Sequence, residues 1–224
     1  MNLVRKGMFL FVAALLLAPM AHAATCQLGV KGGVAIQSLG GDDVESDDLE
    51  SRTGFVGGGY FQADFNRNFG LRLEALYFMK GATADSADFE LAFNLDYIEV
   101  PVLAVLNFPV GETGRFNLFA GPTLGINVGA DAEASVAGFS ASFDISDAVP
   151  AFEFGLAFGA GLNFDAGPVI LGFDGRYGLG LTTVIDGDAD LDGDGTPDLG
   201  GNDIDVTNKG FAFMASLGFP LGEK

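Results

Sequence analysis

The chain has no tryptophan, one cysteine, one histidine, and only 11 Lys and Arg against 30 Asp and Glu in 224 residues. Each shortage removes a class of function. A single cysteine, Cys26, cannot form an intrachain disulfide framework and reads as a free thiol near the N-terminus. The acidic balance leaves no electrostatic basis for a nucleic-acid partner. The one histidine, His22, sits in a segment with the marks of a secretory signal. Arg5 and Lys6 precede an apolar run from Met8 to Leu17, followed by Pro19 and the small-residue triplet Ala21-His22-Ala23. Cleavage after residue 23 leaves nine basic residues against 30 acidic ones, a net charge of −21. It also leaves no histidine for catalysis or metal ligation. The residues before Cys26 do not suit a lipid anchor, and the N-terminal apolar run is shorter than the ~20 residues a membrane helix needs.

Long apolar runs are equally scarce in residues 24–224, which are expected to form one domain. Any membrane crossing there has to be made by strands closed into a barrel, because a bilayer offers no partner to an open sheet edge. Period-2 alternation recurs in eight segments. In the last, Phe211, Phe213, Ala215, Leu217 and Phe219 share one face, opposite Gly210, Ala212, Met214, Ser216 and Gly218. Earlier segments set Val169, Leu171, Phe173 and Tyr177 against Gly172, Asp174 and Arg176; Phe152, Phe154, Leu156 and Phe158 against Glu153, Gly155 and Gly159; and Leu118, Leu124 and Ile126 against Asn117, Thr123 and Asn127. The first four segments set Ile98, Val100 and Val102 against Tyr97, Glu99 and Asn107; Leu71, Leu73 and Tyr77 against Arg72, Glu74 and Lys80; Phe55 and Phe61 against Tyr60, Gln62 and Asp64; and Leu28, Val30 and Val34 against Gln27, Lys31 and Gly33.

One face is therefore bulky and uncharged, over about the nine positions that cross hydrocarbon at a tilt. The other carries glycine and a nearly balanced charge set: Lys31, Arg72, Lys80 and Arg176 with Asp64, Glu74, Glu99, Glu153 and Asp174. This pattern predicts an all-β, eight-stranded antiparallel up-and-down transmembrane barrel, with lipid outside and paired charges in the lumen. Connections near Asn66-Arg67-Asn68, Gly111–Gly114 and Asp165–Gly167 are short. Those around Ser38–Arg52, Gly81–Ala92, Ala130–Ala148 and Thr183–Val206 are long and acidic, which places both termini in the periplasm.

Gly29-Val30-Lys31-Gly32-Gly33, Leu71-Arg72-Leu73-Glu74, Tyr97-Ile98-Glu99-Val100-Pro101 and Phe119-Ala120-Gly121-Pro122 resemble the bacterial outer-membrane barrels called porin-family or PorT-like proteins. That family's fold is similar to the OmpA transmembrane domain. The resemblance spans nearly the whole mature chain. It implies residence in a Gram-negative outer membrane, with membrane lipid, lipopolysaccharide and the barrel-assembly machinery as partners. Such barrels often end on an aromatic residue; here Phe219 is followed by Pro220-Leu221-Gly222-Glu223-Lys224.

In the last long connection, Asp190, Asp192, Asp194 and Thr196 stand at positions 1, 3, 5 and 7 of a calcium-type loop, with Gly195 for the turn. Position 12 is Gly201 rather than glutamate, leaving Asp198, Asp203 or Asp205 to close the shell. The same run reads equally as a solvated acidic loop. No cofactor is required, and serines without histidine give no nucleophile-base pair. The expected function is a non-enzymatic outer-membrane protein with a structural or surface-interaction role. The alternative is a narrow porin-like channel for small solutes.

Overall fold

A computed structural model of the protein describes residues 25–41, 50–86, 89–136, 139–184 and 206–221. The expected signal peptide lies outside them, as do the acidic run 42–49 and the calcium-type loop. Nine strands follow one another: β1 (Thr25–Gly40), β2 (Glu50–Asp64), β3 (Phe69–Ser86), β4 (Phe89–Val110), β5 (Gly114–Val136), β6 (Phe139–Asp144), β7 (Phe152–Asp165), β8 (Ile170–Gly180) and β9 (Thr207–Leu221). Every ladder is antiparallel. β1 pairs with β9 from Cys26↔Leu221 to Gly40↔Thr207, and β4 pairs with β5, so the sheet closes on itself. Eight strands are staves, and β6 is an addition paired with the outer end of β5. This is the closed eight-stranded barrel that the alternation predicts.

The short turns have local chemical causes. Asn66 Oδ1 accepts from the amides of Asn68 and Phe69, each at 2.9 Å, an Asx turn that reverses the chain. Between β4 and β5 the reversal uses Gly111 at φ 65°, and between β7 and β8 Gly167 at φ 87°, a region L side chains avoid. The Gly167 amide also donates to Asp165 Oδ1 at 3.0 Å.

Two of the long connections are largely strand. Pairing of β3 with β4 continues from Gly81↔Asn94 to Ser86↔Phe89, and β4 with β5 from Leu95↔Ala130 to Phe89↔Val136. With β6, these outer halves build a four-stranded wall beyond the staves. β4 holds 22 residues, roughly 70 Å at ~3.3 Å per residue. Even tilted by ~45°, that far exceeds a hydrocarbon core of about 30 Å, so the wall lies outside the membrane.

Polarity reverses where the wall begins. On the staves, Phe154, Phe173 and Phe213 point outward with 55%, 60% and 53% of their surface exposed, while Lys31, Arg72 and Arg176 are 6%, 2% and 3% exposed in the lumen. A water-soluble barrel would have the opposite arrangement. On the wall, Asp131 and Glu133 are exposed. Ala82, Leu95 and Ala130 turn inward and pack with Leu39, Val149, Val184 and Val206 into an apolar core across the long-loop mouth. Lipid and water each meet the side of the sheet that suits them, and the crossover marks the membrane boundary.

Candidate functional site

The lumen is where the fold gathers ionisable groups. All nine charges that alternation assigns to the interior project into it, because odd and even positions of a strand point to opposite faces and the registers bring the charged rungs together. Starting at the long-loop end, Asn208 Nδ2 donates to Glu153 Oε2 at 3.1 Å. Lys80 bridges Glu153 at 3.1 Å and Glu99 at 2.9 Å. Arg176 joins Glu99 at 2.9 Å to Glu74 at 3.0 Å, and Lys31 joins Glu74 to Asp174, both at 2.6 Å. Arg72 contacts Asp174 at 3.0 Å and donates through Nε to Gln62 Oε1 at 2.8 Å. Gln62 in turn donates to Asp64 at 2.8 Å, and Asp64 faces Arg115 at 3.6 Å near the short turns.

The result is a chain of alternating charge from Glu153 to Arg72 that continues through the neutral Gln62 to the Asp64–Arg115 pair and so runs the length of the barrel. Among the described residues it contains five cations and five anions. A buried charge without a partner costs several kcal/mol, and here each meets an opposite charge. Aromatic rings flank the cations. Tyr60 lies 5.2 Å from Lys31 Nζ and 5.8 Å from the Arg72 guanidinium, Phe119 lies 5.3 Å from Arg72, and Phe78 lies 5.1 Å from Arg176.

Space in the lumen is correspondingly small. At the long-loop end a cavity of about 20 Å³ remains among Gln37, Phe78, Lys80, Glu99, Glu153 and Asn208, the size of about one water. Glycine permits the crowding at Gly159, where a Cβ would lie 2.8 Å from the Phe119 ring.

Sequence reasoning missed part of this arrangement. Arg115 shares the parity of Asn117 and was readable as inward on that ground. Phe78, Leu76, Leu103, Val105 and Phe119 are buried inside as well, forming apolar layers between the charged rungs. Their bulk suggests lipid, and only strict parity with Glu74, Lys80, Asn107 and Asn117 assigns them inward. The metal candidates Asp190, Asp192, Asp194, Thr196 and Asp198 lie outside the described residues. Among the described residues, no group of three or more His, Cys, Asp or Glu is placed to hold a metal ion.

Comparison with solved structures finds Neisserial surface protein A at 15% identity and a TM-score of 0.47, with 87% of this chain and 97% of that one covered. Outer membrane protein OprG from Pseudomonas aeruginosa is matched at 12% identity and 0.45, covering 91% and 99%. Ail, the attachment invasion locus protein of Yersinia pestis, in complex with the heparin analogue sucrose octasulfate, is matched at 18% and 0.42, covering 87% and 99%. No curated protein sequence matches the chain. The family model for the outer membrane protein beta-barrel domain matches residues 20–186, well over half of the chain. With a closed eight-stranded barrel, a hydrocarbon exterior and that match, the chain belongs to the outer membrane protein beta-barrel domain family and is an integral protein of the bacterial outer membrane.

Proposed function

We propose that the protein is a non-conducting, non-catalytic barrel whose work is done at its long-loop end, where it presents an acidic surface to the cell exterior. The observation that carries this reading is the lumen. A chain of buried ion pairs from Glu153 to Arg72, carried on to Asp64 by hydrogen bonds through Gln62, fills the space a solute would need, and an apolar core lies across the mouth above it. Moving an ion through would require breaking several buried pairs at once, each worth a few kcal/mol.

In this reading the long-loop end faces outward and both termini face the periplasm. Thr25 and Leu221 stand at the short-turn end, opposite the wall, and the wall is built for water rather than lipid. Lipopolysaccharide and outer-membrane lipid are the partners of the apolar exterior, and the barrel-assembly machinery is its partner during insertion, with Phe219 as an internal equivalent of a terminal aromatic signal. The loop of Asp190, Asp192, Asp194, Thr196 and Asp198 takes up calcium, with oxygen ligands spaced for a hard cation.

Two experiments test these points. In planar bilayers the pure protein is expected to give no discrete conductance steps; reproducible openings at neutral pH would favour a narrow solute pore instead. Isothermal titration is expected to show calcium binding at millimolar concentration or tighter that is lost in Asp192→Ala. No heat of binding in the parent protein would end the calcium assignment.

A further inference from the structure

Among the described residues, one cation faces outward from the staves. Lys209 shares its parity on β9 with the exposed Phe211 and Phe213, opposite the buried Asn208 and Ala212. It is the first polar position above the outward run of Phe219, Leu217, Ala215, Phe213 and Phe211, level with Ser38 on β1. Its side chain lies over Gly40, because a Cβ there would run into Lys209 Nζ and Cε. Gly40 pairs with Thr207, the next outward rung, so the ammonium is carried away from the hydrocarbon, as long basic side chains at a membrane edge are. No carboxylate among the described residues pairs with it, and the outward faces of β1, β8 and β9 carry none.

A groove opens just below this lysine. On the rung beneath it, Phe158↔Tyr177↔Phe211, the rings pack on one another with centroids 5.5 and 4.8 Å apart. The following rung is Ala160↔Gly175↔Phe213, where a Cβ on Gly175 would touch only the Phe213 ring, at 3.5 Å. Four aromatic rings thus wall an open groove of about 500 Å³ over Ala160 and Gly175. Lys209 and Phe213 are two outward rungs apart, roughly 13 Å of strand at ~3.3 Å per residue.

We propose that Lys209 and this groove bind one lipopolysaccharide molecule, with a headgroup phosphate on the ammonium and an acyl chain over Ala160 and Gly175. The assignment rests on the outward orientation of the long-loop end, which puts Lys209 in the leaflet that holds this lipid. An unpaired ammonium attracts phosphate, and the groove is continuous with the hydrocarbon belt, so one amphiphile satisfies both. The rings that wall the groove already pack together, so seating a chain requires little ordering of the protein. A two-fold pair of barrels through this face would instead set two unpaired lysines at one height with no anion between them.

The test uses the intact protein folded in non-ionic detergent, with bound lipid counted by native mass spectrometry. Bisphosphorylated lipid A, its dephosphorylated form and phosphatidylglycerol are offered at equal concentration. The parent is expected to retain one lipid A. Dephosphorylation, or Lys209→Gln, is expected to weaken binding about tenfold or more, the loss of one charge-assisted contact. Gly175→Leu fills the groove and should also weaken it, while both variants keep the parent's heat-modifiable mobility because neither touches the lumen. No lipid A retained by the parent, or equal retention by Lys209→Gln, would overturn the proposal. Preference for phosphatidylglycerol over lipid A would overturn lipopolysaccharide as the occupant. Orientation is read separately: in intact cells a Glu133→Cys variant is expected to react with a membrane-impermeant maleimide. Protection there would refute the outward long-loop end even where lipid A is retained.

Discussion

Lys80 shows how a single lumen charge carries consequences. It compensates both Glu99 and Glu153, so Lys80→Met leaves Glu153 with only the amide of Asn208. The expected loss is about 3–5 kcal/mol, the usual cost of breaking a buried pair from one side. Adding Glu153→Gln should recover a large part of it, because the second change removes the stranded charge. Urea titration followed by circular dichroism checks both variants. An outward residue obeys the opposite rule: Phe173→Arg places a charge among acyl chains and should cost ~2–4 kcal/mol in lipid vesicles. Outside the membrane, Asp144 accepts from the Ser146 amide at 2.9 Å, and its Ser146 hydrogen bonds hold its carboxyl below the usual carboxylate range. A lowered folded-state value stabilises above the ordinary carboxylate range and fades as pH falls through it. The amide resonance of Ser146 should therefore move as Asp144 is protonated on acidification and hold its position in neutral buffer.

At the level of elements, staves and wall are separable. β5 pairs with β4 and β7 along Gly114–Ile126 whether or not its outer half continues to β6. Deleting 132–143 is expected to leave a barrel that still runs faster on gels before boiling than after; loss of that shift would mean the wall is needed for closure. The same division explains what the sequence made legible. Leu71-Arg72-Leu73-Glu74 and Phe152-Glu153-Phe154 declare their faces because lipid on one side and paired ions on the other demand opposite chemistry at successive residues. The wall has water on its outer side and alanine on much of its inner side, as at Ala82, Ala130 and Ala132, so its alternation is muted and reads as loop. Inside the lumen, Phe119 and Leu103 were hidden for a different reason. A bulky apolar side chain fits both lipid and a packed interior, and only its register decides. The pairing partners of each charge were also beyond the sequence, since they depend on closure of β1 on β9 and on barrel stagger.

For the molecule as a whole, one inversion organises everything else: hydrocarbon outside and ions inside across the membrane, then acidic outside and apolar inside above it. Membrane fractionation should recover the protein with the outer membrane, released by detergent and not by high salt. The natural lack of tryptophan allows the inversion to be read one position at a time, because a single introduced indole has no background. Phe173→Trp and Met214→Trp place that probe on the outer and inner faces respectively, Phe173 being 60% exposed and Met214 3%. In vesicles of lipids brominated along the acyl chain, strong quenching of Phe173→Trp with little effect on Met214→Trp is the expected result. Quenching at position 214 with none at 173 would contradict the arrangement on which the barrel, its lumen and its function all rest.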